Sequence, residues 1–380
     1  MAVFFENPNA PVFCNVLWED RKAAMASPRA AIRLGFCSRC QLIYNVDFDP
    51  SLLDYSKQYE NSLHYSNRFQ QYAEELACRL VKRHQLYNKD VIEIGCGQGD
   101  FLALLASVGE NRGLGFDPSF DLNRASSTTQ RLVKIVPQLY STDYAEYPAD
   151  IICCRQVLEH VSEPLKFLKS IRKLIGDRRE TIVFFEVPNA LYTLRDKGIW
   201  DIIYEHCSYF TPQSLTHLFF RAGFEVMEIS EQYGGQFITL EAKIARTKRH
   251  APLNVKWTSG EPSEMIGEFT DLYQNKTSLW YMAIEDLKKQ NHRAVVWGAG
   301  SKGITFLNIL NVSHKTVPYV VDVNPFKHGR YLTGTGQEIV SPMFLHKYTP
   351  ETVVLMNPIY QDEIRQTMRK LDLKAKLLLA

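Results

Sequence analysis

From Ser66 onward the hydrophobic positions fall into a regular rhythm. Phe69, Tyr72, Ala73, Leu76, Leu80 and Val81 recur at helical spacing behind Ser66, a residue able to cap the helix. Short apolar runs then alternate with amphipathic stretches. Strands are predicted over residues 91–94, 113–116, 133–136, 151–154 and 181–187, with helices over 101–108 and 164–175. A helix over 212–221 closes on Gly223, and 224–229 with 237–245 reads as a final antiparallel pair. Such alternation predicts an α/β fold, a mainly parallel sheet with helices on both faces.

The ends of the chain read differently. Residues 1–65 show little regular periodicity and many turn formers, Asp49-Pro50 among them. Residues 246–262 are polar and punctuated by Pro252, Gly260 and Pro262, so they read as a connection. A long amphipathic helix over roughly 265–290 follows, and a second alternating unit starts at Ala294, with a strand at 319–323. The expected division is therefore 1–65, 66–245 and 246–380. At 380 residues there is room for two or three domains.

Composition narrows the class of protein. Apolar residues make up 45% and charged residues 23%, as in soluble globular chains, and a net charge of +2 argues against nucleic-acid or anionic-membrane partners. No 18-residue apolar run occurs, and the opening Met-Ala-Val-Phe-Phe-Glu lacks a basic region before an apolar block. The expectation is a cytoplasmic enzyme with a small-molecule substrate.

The candidate chemistry starts at Glu93-Ile-Gly95-Cys-Gly97-Gln-Gly99, where a buried strand runs into a glycine turn and a helix. Glycines there let the backbone approach a ligand without a Cβ in the way. Asp117 ends the next predicted strand, where a ribose diol needs a bidentate acceptor. The turn resembles the first motif of class I methyltransferases, which use S-adenosylmethionine and carry G-x-G-x-G in place of the dinucleotide spacing. By that resemblance Glu93, Gly95, Gly97, Gly99 and Asp117 hold the cofactor, and Asp143-Tyr144 falls where the family contacts adenine. The stretch from Asp150 through Gln156 to Val161 is similar to the segment that closes the methionine side.

Two histidines stand out near this site. His160 lies just past the fourth strand, and His206 sits in the irregular segment Tyr204-Glu-His-Cys-Ser-Tyr-Phe210. A carbon nucleophile needs a base that works near neutral pH, which histidine supplies. The whole chain resembles the three-domain sugar C-methyltransferases, whose Glu-His-x-x-Tyr-Phe stretch matches Glu205, His206, Tyr209 and Phe210. Their following Gly-Gly matches Gly234-Gly235, and further matches fall on His160 and Tyr59. The resemblance implies that His206 or His160 removes a proton beside a ketone of a nucleotide-linked sugar. It also implies that Glu205 orients the base and that Tyr59 lies against the enolate. Tyr204, where the family commonly has another histidine, and Gln236-Phe237 depart from the pattern and leave open an oxygen or nitrogen acceptor, or a non-catalytic S-adenosylmethionine binder.

The family's N-terminal domain usually carries two C-x-x-C pairs that bind zinc. Here Cys37 and Cys40 form the second pair and Cys14 stands alone at the first, so the zinc ligands implied are Cys14, Cys37 and Cys40, with a metal-free relic of the domain as the other reading. In the C-terminal unit, Gly298-Ala-Gly300-Ser-Lys-Gly303 has dinucleotide spacing and Asp322 ends the next strand. Taken alone this favours an NAD-dependent oxidoreductase. The same residues, with Asp322-Val-Asn-Pro-Phe-Lys-His-Gly329 and Pro342, resemble the C-terminal domain of the C-methyltransferases, where the resemblance implies a substrate-holding role.

Overall fold

The computed structural model describes residues 2–53, 59–60, 62–195, 198–246 and 262–380. Strands β1 (Ala2–Pro11), β2 (Arg29–Phe36) and β3 (Ile43–Asn45) form an antiparallel meander. Periodicity does not reveal these strands. Register shifts between Val3 and Phe5 and between Asn7 and Ala10 break the alternation of β1, so buried Phe5 and Ala10 stand at an odd spacing.

The helix Asn67–His84 begins where the sequence predicts, with Ser66 Oγ accepting from the backbone N–H of Phe69 at 3.3 Å. It buries Phe69, Tyr72, Leu76 and Leu80 against Phe101, Leu102 and Leu105 of the helix Asp100–Gly109. Five parallel strands follow: β4 (Asp90–Ile94), β5 (Arg112–Phe116), β6 (Val133–Val136), β7 (Ile151–Arg155) and β8 (Ile182–Pro188). β9 (Ser208–Tyr209) leaves this sheet and pairs with β3. β10 (Phe224–Gln232) and β11 (Phe237–Ile244) form the expected antiparallel pair, β11 lying against β8. The strand order is β10-β11-β8-β7-β4-β5-β6. The chain therefore steps to one side of β4 for β5 and to the other for β7, which opens a crevice beyond their carboxyl ends.

After the helix Pro262–Lys289, five parallel strands make a second sheet in the order β14-β13-β12-β15-β16. They are β12 (Ala294–Trp297), β13 (Tyr319–Val321), β14 (Glu338–Val340), β15 (Thr352–Leu355) and β16 (Lys376–Leu379). The long helix binds the two ends of the chain together. Phe269 packs edge-on against Phe4 and Phe5 of β1, while Trp280 packs against Phe306 of the C-terminal unit. One apolar core thus joins the N-terminal meander to the C-terminal sheet. No helix among the described residues is long and apolar enough to cross a membrane.

Candidate active site

The turn after β4 is shaped by the acid at the end of β5. The backbone N–H of Gly97 donates to the Asp117 carboxylate at 2.7 Å, and the Ser119 N–H and hydroxyl donate to its other oxygen. Gly97 has φ +55°, and a Cβ built there meets nothing within 4 Å, so a methyl group would project into open space above the turn. That open cradle, with a carboxylate at its rim, fits the adenosyl part of S-adenosylmethionine. Gly95 and Gly99 flank it, also at positive φ. Glu93 lies buried beneath, and burial first, then the charges of Asp100 and Asp117, push its pKa up to about 8 against the opposing pull of Arg155. Tyr144 brings its ring to 4.5 Å from that of Phe116, next to Asp117, and the exposed Asp143 accepts from the Ser141 hydroxyl at 3.1 Å. The residues expected around adenine and ribose therefore gather at one end of β5.

A buried polar network closes the other side. Arg155, at the end of β7, pairs with Glu186 at 3.0 Å and lies over the ring of Phe101 at 4.0 Å. Glu186 also accepts from the Tyr72 hydroxyl and from Gln156 Nε2. Periodicity hides Arg155, because it continues an apolar strand. Gln156 turns out of that strand with φ +55° and lines the cleft beyond.

That cleft, about 290 Å³ in volume, separates the class I sheet from the C-terminal unit. Tyr59, Gln156, His160 and His206 line one side; Gly298, Gly300, Lys302 and Asp322 line the other. The two histidine rings meet edge to face with centroids 4.9 Å apart. His160 Nδ1 lies 2.9 Å from the backbone carbonyl oxygen of Glu205, which leaves Nε2 as its lone-pair nitrogen when the ring is neutral. Burial holds both rings neutral, lowering the pKa of His160 to about 4 and that of His206 well below its ordinary value, with His160 and Lys302 adding to the latter. No hydrogen bond engages the His206 ring among the described residues.

Glu205 is fully buried behind this wall. Its carboxylate accepts from the backbone N–H of Cys14 at 2.9 Å and reaches Asn15 Nδ2 at 3.5 Å and the Tyr59 hydroxyl at 3.4 Å. Burial pushes its pKa up to about 7 despite those donors. The carboxylate thus addresses Tyr59 and Asn15, while only the carbonyl addresses a histidine. Asn15 was not foreseen, because nothing in the irregular start of the chain marks it. The two family departures also have structural partners. The Tyr204 hydroxyl accepts from the Asp49 backbone N–H at 2.8 Å, and Gln236 exchanges paired amide hydrogen bonds with Asn357, at 3.1 and 2.8 Å.

The C-terminal turn repeats the arrangement of the first. Ala299 N–H donates to Asp322 at 2.9 Å, and a Cβ on Gly303 would strike the Gly298 carbonyl oxygen at 2.0 Å, so the helix starts close under the turn. Lys302 forms an ion pair with Asp201 across the cleft. Glu60 ties the halves together. Glu60, buried, pairs with Arg124 and accepts from Asn324 Nδ2 at 3.0 Å.

The three cysteines expected to bind zinc are not brought together. Cys14 is buried in the core behind β1, whereas Cys37 and Cys40 face each other in the turn between β2 and β3. Among the described residues, the only His, Cys, Asp and Glu side chains grouped closely enough to share a metal are Glu159, His160 and His206. Burial in the hydrophobic core raises the Cys14 thiol pKa well above its ordinary value.

With this geometry in place, two family models match the chain. One, described as a methyltransferase domain, matches residues 66–229; the other, the C-methyltransferase C-terminal domain, matches residues 263–378. The chain is similar to the C-methyltransferase NovU of Streptomyces niveus, at 25% identity over 309 residues, covering 77% of this chain and 72% of the relative. It is also similar to a ubiquinone biosynthesis O-methyltransferase of Proteus mirabilis, 32% identical over 120 residues, 30% of this chain and 46% of that protein. Among solved structures, a Burkholderia thailandensis 1,6-didemethyltoxoflavin-N1-methyltransferase with bound S-adenosylhomocysteine matches 47% of this chain and 81% of its own, at 16% identity and a TM-score of 0.36.

Proposed function

From the premise that this chain is an S-adenosylmethionine-dependent methyltransferase with a C-methyltransferase C-terminal domain, we propose that it methylates carbon beside a ketone, on a nucleotide-linked sugar or similar acceptor, through an enolate. The observation that carries this reading is the convergence of Tyr59, His160 and His206 on one wall of the cleft, with no hydrogen bond to the His206 ring among the described residues. S-adenosylmethionine supplies, when bound, an electrophilic methyl on a positively charged sulfur. Gly95, Gly97, Gly99 and Asp117 would hold its adenosyl part, with Asp143 and Tyr144 toward adenine and Glu93 and Gln156 toward the amino-acid end.

The chain's own residues then divide the work. His206 takes the proton from the acceptor carbon at a ring nitrogen. The Tyr59 hydroxyl turns its one proton from Glu205 to the oxygen on which negative charge develops, while Asn15, which donates to that hydroxyl, holds it in place. His160, whose Nδ1–H donates to the Glu205 carbonyl, holds the His206 ring in place and keeps its own lone pair at Nε2. Across the cleft, Gly300 and the start of the helix Ser301–Ile309 offer backbone N–H groups to an anionic, nucleotide-linked part of the acceptor. The division at 65 and 245 belongs to the same proposal, with the donor held by the middle part and the acceptor gripped between it and the last.

Proton removal is testable without methyl transfer. A keto-sugar nucleotide incubated in D2O with the protein and S-adenosylhomocysteine should exchange the hydrogen beside its ketone, as read by NMR, and His206→Ala should stop the exchange. Methyl transfer to an acceptor oxygen or nitrogen with no exchange at carbon contradicts the proposal.

A further inference from the structure

Glu159 stands out among the buried acids around the cleft. It is 1% exposed, and neither carboxylate oxygen has a hydrogen-bond partner. Glu186 and Glu205, by contrast, are paired: Glu186 with Arg155, Tyr72 and Gln156, Glu205 with Cys14, Asn15 and Tyr59. The nearest basic atom to Glu159 is His160 Nε2, at 3.9 Å, too far for a hydrogen bond. A buried carboxyl group left in this state calls for a partner, and an ion that displaces its proton supplies one.

We propose that Glu159, His160 and His206 form a binding site for a divalent transition-metal ion. One ligand atom from each lies within 4.8 Å of the other two. A tetrahedral ion with bonds near 2.1 Å separates its ligands by roughly 3.4 Å, so the side chains close in by about an ångström on binding. The surroundings are already those of a metal site. His160 Nδ1 is engaged by the Glu205 carbonyl, which aims the Nε2 lone pair at the group, the usual outer partner of a ligating imidazole. Cys207 N–H donates to the backbone carbonyl of Glu159 at 2.9 Å and pins the ligand-bearing turn. Two imidazoles and one carboxylate suit zinc, cobalt or iron over magnesium or calcium. All three residues line the cleft, so further coordination positions face the acceptor. An ion there occupies the His206 lone pair. This consequence, unlike the site itself, rests on the function proposed above, and it makes the metal an inhibitor of proton removal.

Cobalt(II) titration of the full chain, without acceptor and followed by visible absorption, tests the site directly. The wild type should bind one equivalent. Glu159→Gln and His206→Gln should each weaken binding at least about ten-fold, the scale on which even outer partners of a ligand matter, while a Cys37→Ser/Cys40→Ser double variant binds as before. Thermal melts and S-adenosylhomocysteine calorimetry report folding of each variant; should Glu159→Gln unfold, the partly exposed His206 carries the test. No cobalt band in the wild type overturns the site, as does a band lost in the cysteine variant and kept in Glu159→Gln. Neither result touches the deuterium-exchange measurement, which stands or falls by itself.

Discussion

His160 Nδ1 and the backbone carbonyl oxygen of Glu205 lie 2.9 Å apart, and this contact ties the turn after β7 to the segment that carries His206. Glu205 thereby acts twice. Its carbonyl fixes a ring on the floor of the cleft, and its carboxylate fixes the Tyr59 hydroxyl that the N-terminal part delivers from the other side. Glu205 thus meets a histidine through its main chain and Tyr59 through its side chain.

His206→Ala should lower methyl transfer by about 10²–10⁴-fold, the usual contribution of a positioned general base. Calorimetric affinity for S-adenosylhomocysteine should stay within about two-fold, because the glycine turn that holds it lies elsewhere. Transfer at near wild-type rate removes His206 from the reaction.

Tyr59→Phe deletes one donor to the developing oxygen. We expect kcat to fall by about 10²–10³-fold with little change in KM. A change confined to KM instead assigns Tyr59 to acceptor binding.

Asp117→Ala removes both the contact to Gly97 N–H and the carboxylate offered to the ribose diol. Charged hydrogen bonds contribute about 1.5–3 kcal/mol, so S-adenosylhomocysteine should bind roughly 10–150-fold more weakly in calorimetry. Unchanged affinity places the donor outside this crevice.

Stability should decline on the alkaline side of neutrality. Glu93 and Glu159 are raised by burial to about 8 and Glu205 to about 7, from an ordinary value of 4.5, so the folded chain keeps protons that the unfolded chain has lost. Stability from these groups is full below 4.5 and is lost as pH climbs to 8. His64, His160 and His206 are lowered from 6.5 and act oppositely, their stabilisation fading only as pH drops below that value. Between about pH 6.5 and 8 the carboxyl effect therefore stands alone and the melting temperature should fall. Glu159→Gln should flatten the fall by up to about 1.4 kcal/mol per pH unit. A melting temperature that rises over this range contradicts the burial of these acids.

The class I sheet was legible because its strands are continuous apolar runs bounded by turn residues, and the helix at Ser66 because its cap and stripe are local. β1 was not, since its bulges move Phe5 and Ala10 out of alternation. The glycine turns announced themselves through spacing. The pairing of Gln236 with Asn357 and the approach of Asn15 to Tyr59 could not, because each joins residues that meet only once the long helix has brought the chain ends together. The place of Cys14 in the apolar core, apart from the hairpin turn of Cys37 and Cys40, was equally hidden, because it depends on how the meander packs.

The most direct measurement is transfer from S-adenosylmethionine carrying a ¹³C methyl group to keto-sugar nucleotides, with NMR locating the new bond. The account predicts a methyl signal correlated to the carbon beside the ketone, and its loss in His206→Ala. A methyl signal on an acceptor oxygen or nitrogen contradicts it.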